Sequence, residues 1–123
     1  MKERDLYSSF HPPFSGSAAF ELKMCKKGAI PFSALAAHQE KALLMAQGDG
    51  LLYKIPDPIG GLGQKLPFDF FQLSNVDAYV VVCFYKPRKK KELLFIFIDD
   101  WVRERETCGR KSLTEERAKE ICT

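Results

Sequence analysis

Ala18-Ala19-Phe20-Glu21-Leu22-Lys23 opens residues 18–25, the first apolar run of the chain that reads as a strand. Strand side chains alternate between faces, so Phe20 and Leu22 point one way and Glu21 and Lys23 the other. A carboxylate and an ammonium set side by side on one face can hold a divalent metal and steady a nearby phosphate. The same two residues can equally form an ordinary salt bridge. The segments downstream of Lys23 bear on which of the two is built.

The run leads through a basic turn, Lys26-Lys27-Gly28, to Ile30-Pro31-Phe32 and then a helix. Ser33 is a favoured N-cap type, and Gly48-Asp49-Gly50 is a stop signal, so the helix is expected to end near Gln47. On its wheel Leu35, Gln39, Ala42, Leu43 and Ala46 share one stripe, which turns Gln39 inward with the apolar face. His38 projects to the side of that stripe, suited to a structural or phosphate-proximal role rather than to that of a general base. A short strand at 51–55 comes after the helix, broken by Pro56-Asp57-Pro58. A glycine-bearing loop comes next, and then a strand over 66–73 in which Asp69 sits between phenylalanines. A buried carboxylate is costly unless paired or metal-bound, so Asp69 in such a strand calls for a partner.

Residues 78–85 (AYVVVCFY) and 93–98 (LLFIFI) are apolar on both faces, the mark of central strands. The short basic turn Lys86-Pro87-Arg88-Lys89-Lys90-Lys91 between them predicts an antiparallel hairpin. A charged helix is expected from Trp101 to about Glu106, and a last one capped by Ser112 or Thr114. Apolar surface near Trp101 is expected to contribute to a dimer contact. Before the first strand, Met1–Phe10 has the spacing of a short helix ended by His11-Pro12-Pro13. Together these elements predict an α/β chain with a mixed central sheet flanked by helices. It reads as one domain over 1–123, with a weakly structured segment at 1–17 and a helical one at 102–123.

Composition narrows the classes without choosing among them. A hydrophobic content of 46% over 123 residues supports a core. A net charge of +3 is too small to mark a nucleic-acid binder by itself, so the placement of charge must carry that reading. Lys26, Lys27, Lys86, Arg88, Lys89, Lys90 and Lys91 fall at turns. There they are either a solvated rim or a phosphate-contacting surface. The cysteines, Cys25, Cys83, Cys108 and Cys122, form no C-x-x-C pair and do not cluster with His11 or His38 at zinc spacing, so free thiols are expected. No run is long and apolar enough for a membrane span, and the N-terminus lacks an apolar signal core.

Glu21 and Lys23 on one strand face, Gln39 on the inward helix stripe and Asp69 could converge on one site. Oxygen ligands of this kind suit Mg²⁺ or Mn²⁺, and the matching chemistry is phosphodiester hydrolysis. Lys23 would stabilise the transition state, and Gln39 would orient a water.

Phe20-Glu21-Leu22-Lys23, then Phe32-Ser33 and His38-Gln39-Glu40-Lys41-Ala42-Leu43, resembles the PD-(D/E)xK nuclease superfamily. Within it the similarity is to Holliday junction resolvases of the RecU-like and archaeal or phage kind. Lys65-Leu66-Pro67-Phe68-Asp69-Phe70 resembles the stretch that carries the family's metal-binding aspartate. In the family that aspartate strand normally precedes Glu-x-Lys; here it comes after, so its hairpin is expected to have migrated to fill the same place. Asp57 is the substitute ligand, and Glu3 the counterpart of a further family glutamate.

The resemblance implies a restriction-endonuclease-like fold. It also implies a Mg²⁺- or Mn²⁺-dependent, structure-selective DNA endonuclease, resolving four-way junctions as a homodimer with no organic cofactor and no membrane partner. The expected setting is the cytoplasm of a bacterium or archaeon, or a phage-infected cell. Glu21, Asp69 and Asp57 would ligate the metal, with Lys23 and Gln39 in catalysis. The alternatives are another nuclease of the superfamily, acting on flaps, duplex or a restriction site, or a DNA-binding module that keeps the fold without catalysis.

Overall fold

The alternation in residues 18–25 is realised as strand β1 (Ala18–Cys25), in a computed structural model that describes residues 16–55 and 68–123. Met1–Phe10, Glu3 and Asp57 lie outside the described residues. β1 is followed by β2 (Ala29–Pro31), a 3₁₀ turn at Phe32–Ala34, and helix α1 (Ala37–Gln47). Strands β3 (Leu51–Lys54), β4 (Phe70–Leu73), β5 (Asp77–Phe84) and β6 (Leu93–Phe97) come next, then α2 (Ile98–Thr107), β7 (Ser112–Thr114) and α3 (Glu115–Ile121). The class is mixed α/β, as expected.

The described strands form a three-stranded sheet in the order β1-β5-β6 and two ribbons, β2-β7 and β3-β4. β1 runs parallel to β5, with Glu21 beside Val80 and Lys23 beside Val82; β5 and β6 are antiparallel, as the basic turn predicts. β5 is the central strand, and Ala78 through Cys83 are all buried. The expectation of a second central strand at 93–98 is corrected. β6 is flanked by β5 alone among the described residues, and its apolar character comes from packing on both of its faces.

Alternation along β1 and β5 sorts two cores. Val80, Val82, Leu94 and Ile96 face one side, with Leu43 of α1, Ile98 and Trp101 of α2, and Leu113 and Ala118 from the C-terminal elements. Tyr79, Val81 and Phe95 face the other, with Phe20 and Leu22 against them. Glu21 and Lys23 therefore lie on the helix-covered side. Trp101 is fully buried, edge-on to Phe32 at 5.3 Å. Trp101 is a core residue.

Ser33 does not cap the helix. It lies within the 3₁₀ turn, and α1 starts after Ala36, which has no acceptor side chain. The third helical residue supplies the bond instead: Gln39 Oε1 accepts from the Ala36 backbone N–H at 3.0 Å, the reciprocal half of a capping box. At the other end, Gly50 adopts φ +132°, and a Cβ there would meet Gln72 Nε2 at 3.1 Å. Asn75 N–H donates to Gly48 O and Val76 N–H to Ala46 O, both at 3.2 Å. The β3-β4 hairpin thus hangs from the C-terminal end of α1.

The elements that local pattern does not reveal are short. β7 pairs with β2 antiparallel, Leu113 opposite Ile30, and so closes the chain's last segment onto its early one. Thr114 caps α3, its Oγ1 accepting from Arg117 N–H at 3.2 Å, as one of the two expected caps. Glu104, nearly buried in α2, receives a two-pronged bond from Arg117, Nε to Oε2 at 2.8 Å and Nη2 to Oε1 at 3.1 Å. That pairing fixes α3 to α2.

Candidate functional site

Gln39 is positioned by the cap and turns its other end to the strand. Its carbonyl is held by Ala36 N–H, which directs its amide outward, and Nε2 donates to Glu21 Oε1 at 3.1 Å. The inward stripe of α1 therefore delivers Gln39 to Glu21, as the helical wheel predicts. Lys23 Nζ stands 3.5 Å from the same Oε1, an ion pair rather than a hydrogen bond. Lys23 is only 9% exposed. A long cation is seldom so covered without a partner, and Glu21 is that partner. The strand pair is not the exposed one that two charges two residues apart would ordinarily form.

Glu21 and Gln39 line a cavity with His38, Ala42 and Leu43 of α1, Ala19 and Phe20 of β1, and Leu51 and Tyr53 of β3. Its polar groups lie on the β1-α1 side, while the remaining wall is aliphatic and aromatic. His38 is exposed, consistent with its position beside the inward stripe. Tyr53 and Leu51 join the site without being foreseen. Residues 51–54 (LLYK) carry no period-two pattern that would single these two out, so no local signal points to them.

Asp69 is placed differently from the expectation. The strand beside β1 is β5, and β4 pairs with β3 instead. Asp69 lies just before β4 and is exposed, so no burial penalty obliges it to find a partner. Its carbonyl accepts from Ile55 N–H at 2.9 Å, continuing the ladder in which Tyr53 faces Phe71. Asp69 thus stands across from Ile55 at the open end of the β3-β4 ladder. It does not line the Glu21 cavity itself. Asp57 lies outside the described residues.

The donor set matches a hard cation in kind. Glu21 Oε1 is engaged by Gln39 and Lys23, and Oε2 accepts no hydrogen bond from a described residue. Mg²⁺ commonly uses one or two carboxylates and completes its shell with water and substrate phosphate, so Glu21 fits as one such carboxylate, and no second carboxylate lines its cavity among the described residues. Gln39 does not fit as a ligand, because its carbonyl is already committed to Ala36. No group of three or more His, Cys, Asp or Glu side chains gathers at metal-binding distance among the described residues.

The basic turns gather at one end of the sheet. β1 and β5 are parallel and end together, Tyr85 N–H donating to Cys25 O at 2.7 Å, so Lys26 and Lys27 emerge beside Lys86. Pro87 and Arg88 form the corner of a turn closed by Lys89 N–H to Lys86 O at 3.3 Å, with Arg88 at φ +64°. Lys26, Lys27, Arg88, Lys89 and Lys90 are exposed and Lys91 half-buried. Lys86 is exposed too, but it is already engaged: its Nζ meets Glu115 Oε1 at 2.8 Å, and that bond holds the Glu115 carboxyl below the usual carboxylate range.

All four cysteines are free. Burial pushes the Cys83 thiol up in pKa. No described helix is long and apolar enough to cross a membrane. No protein-family model, no curated protein and no solved structure matches this chain.

Proposed function

We propose that this chain is a metal-dependent DNA endonuclease of the PD-(D/E)xK superfamily with a restriction-endonuclease-like fold, acting on branched DNA as a four-way junction resolvase. The observation that carries the reading is the Gln39-to-Glu21 hydrogen bond beside a covered Lys23. A carboxylate aimed by a helix amide, with an ammonium alongside, is a donor set that metal-assisted hydrolysis of a phosphodiester can use. Glu21 would hold the metal, with Asp69 joining it only if the hairpin that carries it swings over the cavity, and the ion would supply a nucleophilic water and neutralise charge on the phosphate. Lys23 would meet negative charge developing on the phosphoryl oxygens. Gln39 keeps the Glu21 carboxylate aimed. The free cations of the Lys26-Lys27 and Arg88–Lys91 turns would track the strand backbone, beyond the C-terminal end of the strand that bears Glu21.

A four-way junction has two-fold symmetry, so paired cuts call for a homodimer. The test is Mg²⁺-dependent cleavage of a synthetic junction compared with flap and linear duplex, which separates junction resolution from the other nuclease activities of the superfamily.

One observation favours a second reading, a DNA-binding module without catalysis: Glu21 is satisfied by Lys23 and Gln39 with no ion required. Calorimetry distinguishes the two. Binding of Mg²⁺ or Mn²⁺ at millimolar concentration, lost in Glu21→Ala, supports the enzyme; no binding supports the module.

A further inference from the structure

We infer that Arg110 and Lys111 are a second phosphate-contacting point, and that with Lys26 and Lys27 they hold a duplex arm of DNA at the two ends of the β2-β7 ribbon. The inference rests on the DNA reading above and deepens it to paired DNA, gripped away from the Glu21 cavity.

The ribbon sets the spacing. Its ladder continues past the strands at both ends: Glu115 N–H donates to Gly28 O and Phe32 N–H to Lys111 O, each at 3.0 Å. Lys26 and Lys27 lead into the first end, and Arg110 and Lys111 into the second. All four are exposed, and none makes an ion pair with a described residue. A strand rises about 3.3 Å per residue, so the Gly28 and Phe32 ends stand about 13 Å apart. That gap is of the size of a groove of B-DNA, about 6 Å across for the minor and about 12 Å for the major. The two cation pairs can therefore meet phosphates of the two strands that flank one groove. Between the ends the ribbon carries one acid, Glu115, which Lys86 already holds at 2.8 Å.

The second end is fixed before any ligand arrives. Gly109 takes φ +71°, Arg110 N–H donates to Cys108 Sγ at 3.3 Å, and Phe32 holds the Lys111 carbonyl. A hollow opens between these two cations and Pro31, Phe32, Ser33 and Arg105. Arg105 is committed to Glu40 and Glu106, at 2.8 and 3.2 Å, which leaves Arg110 and Lys111 to take a phosphate there. Among the described residues the large exposed apolar side chains lie on α1 and at the β3-β4 hairpin, and none lies on the ribbon. A membrane surface would draw on such side chains, so DNA is the polyanion that fits.

The test works without cleavage. Binding is followed in EDTA by fluorescence anisotropy over a salt series, for a duplex of about twenty base pairs and for one of its strands alone. On the duplex, Arg110→Gln/Lys111→Gln is expected to lower the slope of log K against log salt by about 1.8, two contacts at about 0.9 each. Lys26→Gln/Lys27→Gln lowers it as much, and the two changes add in the fourfold variant. Arg110→Lys/Lys111→Arg, which keeps both charges, retains the wild-type slope. Wild type binds the duplex more tightly than the strand, and Arg110→Gln/Lys111→Gln loses that preference. An unchanged slope in Arg110→Gln/Lys111→Gln, a wild type without preference for the duplex, or a defect confined to binding of phosphatidylserine vesicles overturns the inference. A wild type that binds neither duplex nor strand overturns the DNA reading with it, which tells the two failures apart.

Discussion

Gln39 Nε2 donates to Glu21 Oε1 at 3.1 Å while its own carbonyl caps the helix that carries it. One side chain therefore serves both the start of α1 and the aim of a strand carboxylate. Gln39→Ala is expected to lower cleavage by about 10- to 100-fold, the usual cost of losing a group that orients a ligand. It should also reduce stability by about 1 kcal/mol through the lost cap. Gln39→Glu, which keeps the acceptor for Ala36 but places a second carboxyl against Glu21, should restore neither fully. Cleavage rates and urea midpoints check this.

Lys23 is covered and Glu21 is its partner, so their removals are not equivalent. Glu21→Ala strands the ammonium and should cost about 1–3 kcal/mol, whereas Lys23→Met, an apolar chain of similar length, should cost less. The double variant Glu21→Ala/Lys23→Met should be more stable than Glu21→Ala alone. Equilibrium denaturation of the three proteins checks the order.

Arg88 holds φ +64° in the turn after β5, a conformation that favours glycine. Arg88→Gly should raise stability by up to about 1 kcal/mol by relieving the left-handed strain. The same substitution should weaken DNA binding and lower the salt slope of log Kd by about one, the signature of a lost phosphate contact. The opposite signs of the two effects make the assignment hard to obtain by accident.

The Lys86–Glu115 bond gives a pH signature. Folding depresses the Glu115 pKa, chiefly through the hydrogen bond from Lys86. The sign is that of a carboxylate: the stabilisation is present above the unfolded glutamate pKa and is lost as pH falls through the depressed folded value. Lys86→Met should therefore lower the thermal midpoint at neutral pH and have little effect at pH values below the folded titration. At alkaline pH, Cys83 should stay unreactive toward iodoacetamide while Cys108 and Cys122 react, since burial raises the Cys83 thiol and excludes the reagent.

Much of the frame is legible in periodicity. The two-sided apolar run at 78–85 announces a central strand, the proline-and-lysine turn announces its hairpin, and the wheel aims Gln39 inward. Local pattern does not supply pairing across distance. Nothing in 18–25 says that its neighbour is 77–84 rather than 66–73, because the ladder between β1 and β5 is made by backbone groups that every residue carries, and the Phe20–Tyr79 stack that accompanies it could as well be met by the phenylalanines of 66–73. For the same reason the sequence suggests Asp69 beside Glu21, and it stands instead on the facing hairpin. Ser33 fails as a cap because Pro31-Phe32 begin a 3₁₀ turn that delays the helix, a competition between turn and helix that propensity alone does not settle. Tyr53 is legible as a strand residue but not as a cavity wall, since the cavity exists only once α1 packs on β1.

The most direct measurement of the central claim is cleavage of a synthetic four-way junction in Mg²⁺ by wild type, Glu21→Ala, Lys23→Ala and Asp69→Ala, each checked for folding. Wild type is predicted to cleave, with a loss of at least about 10²-fold in Glu21→Ala and Lys23→Ala and a clear loss in Asp69→Ala. Equal rates in all four proteins, or no cleavage by wild type, would contradict it.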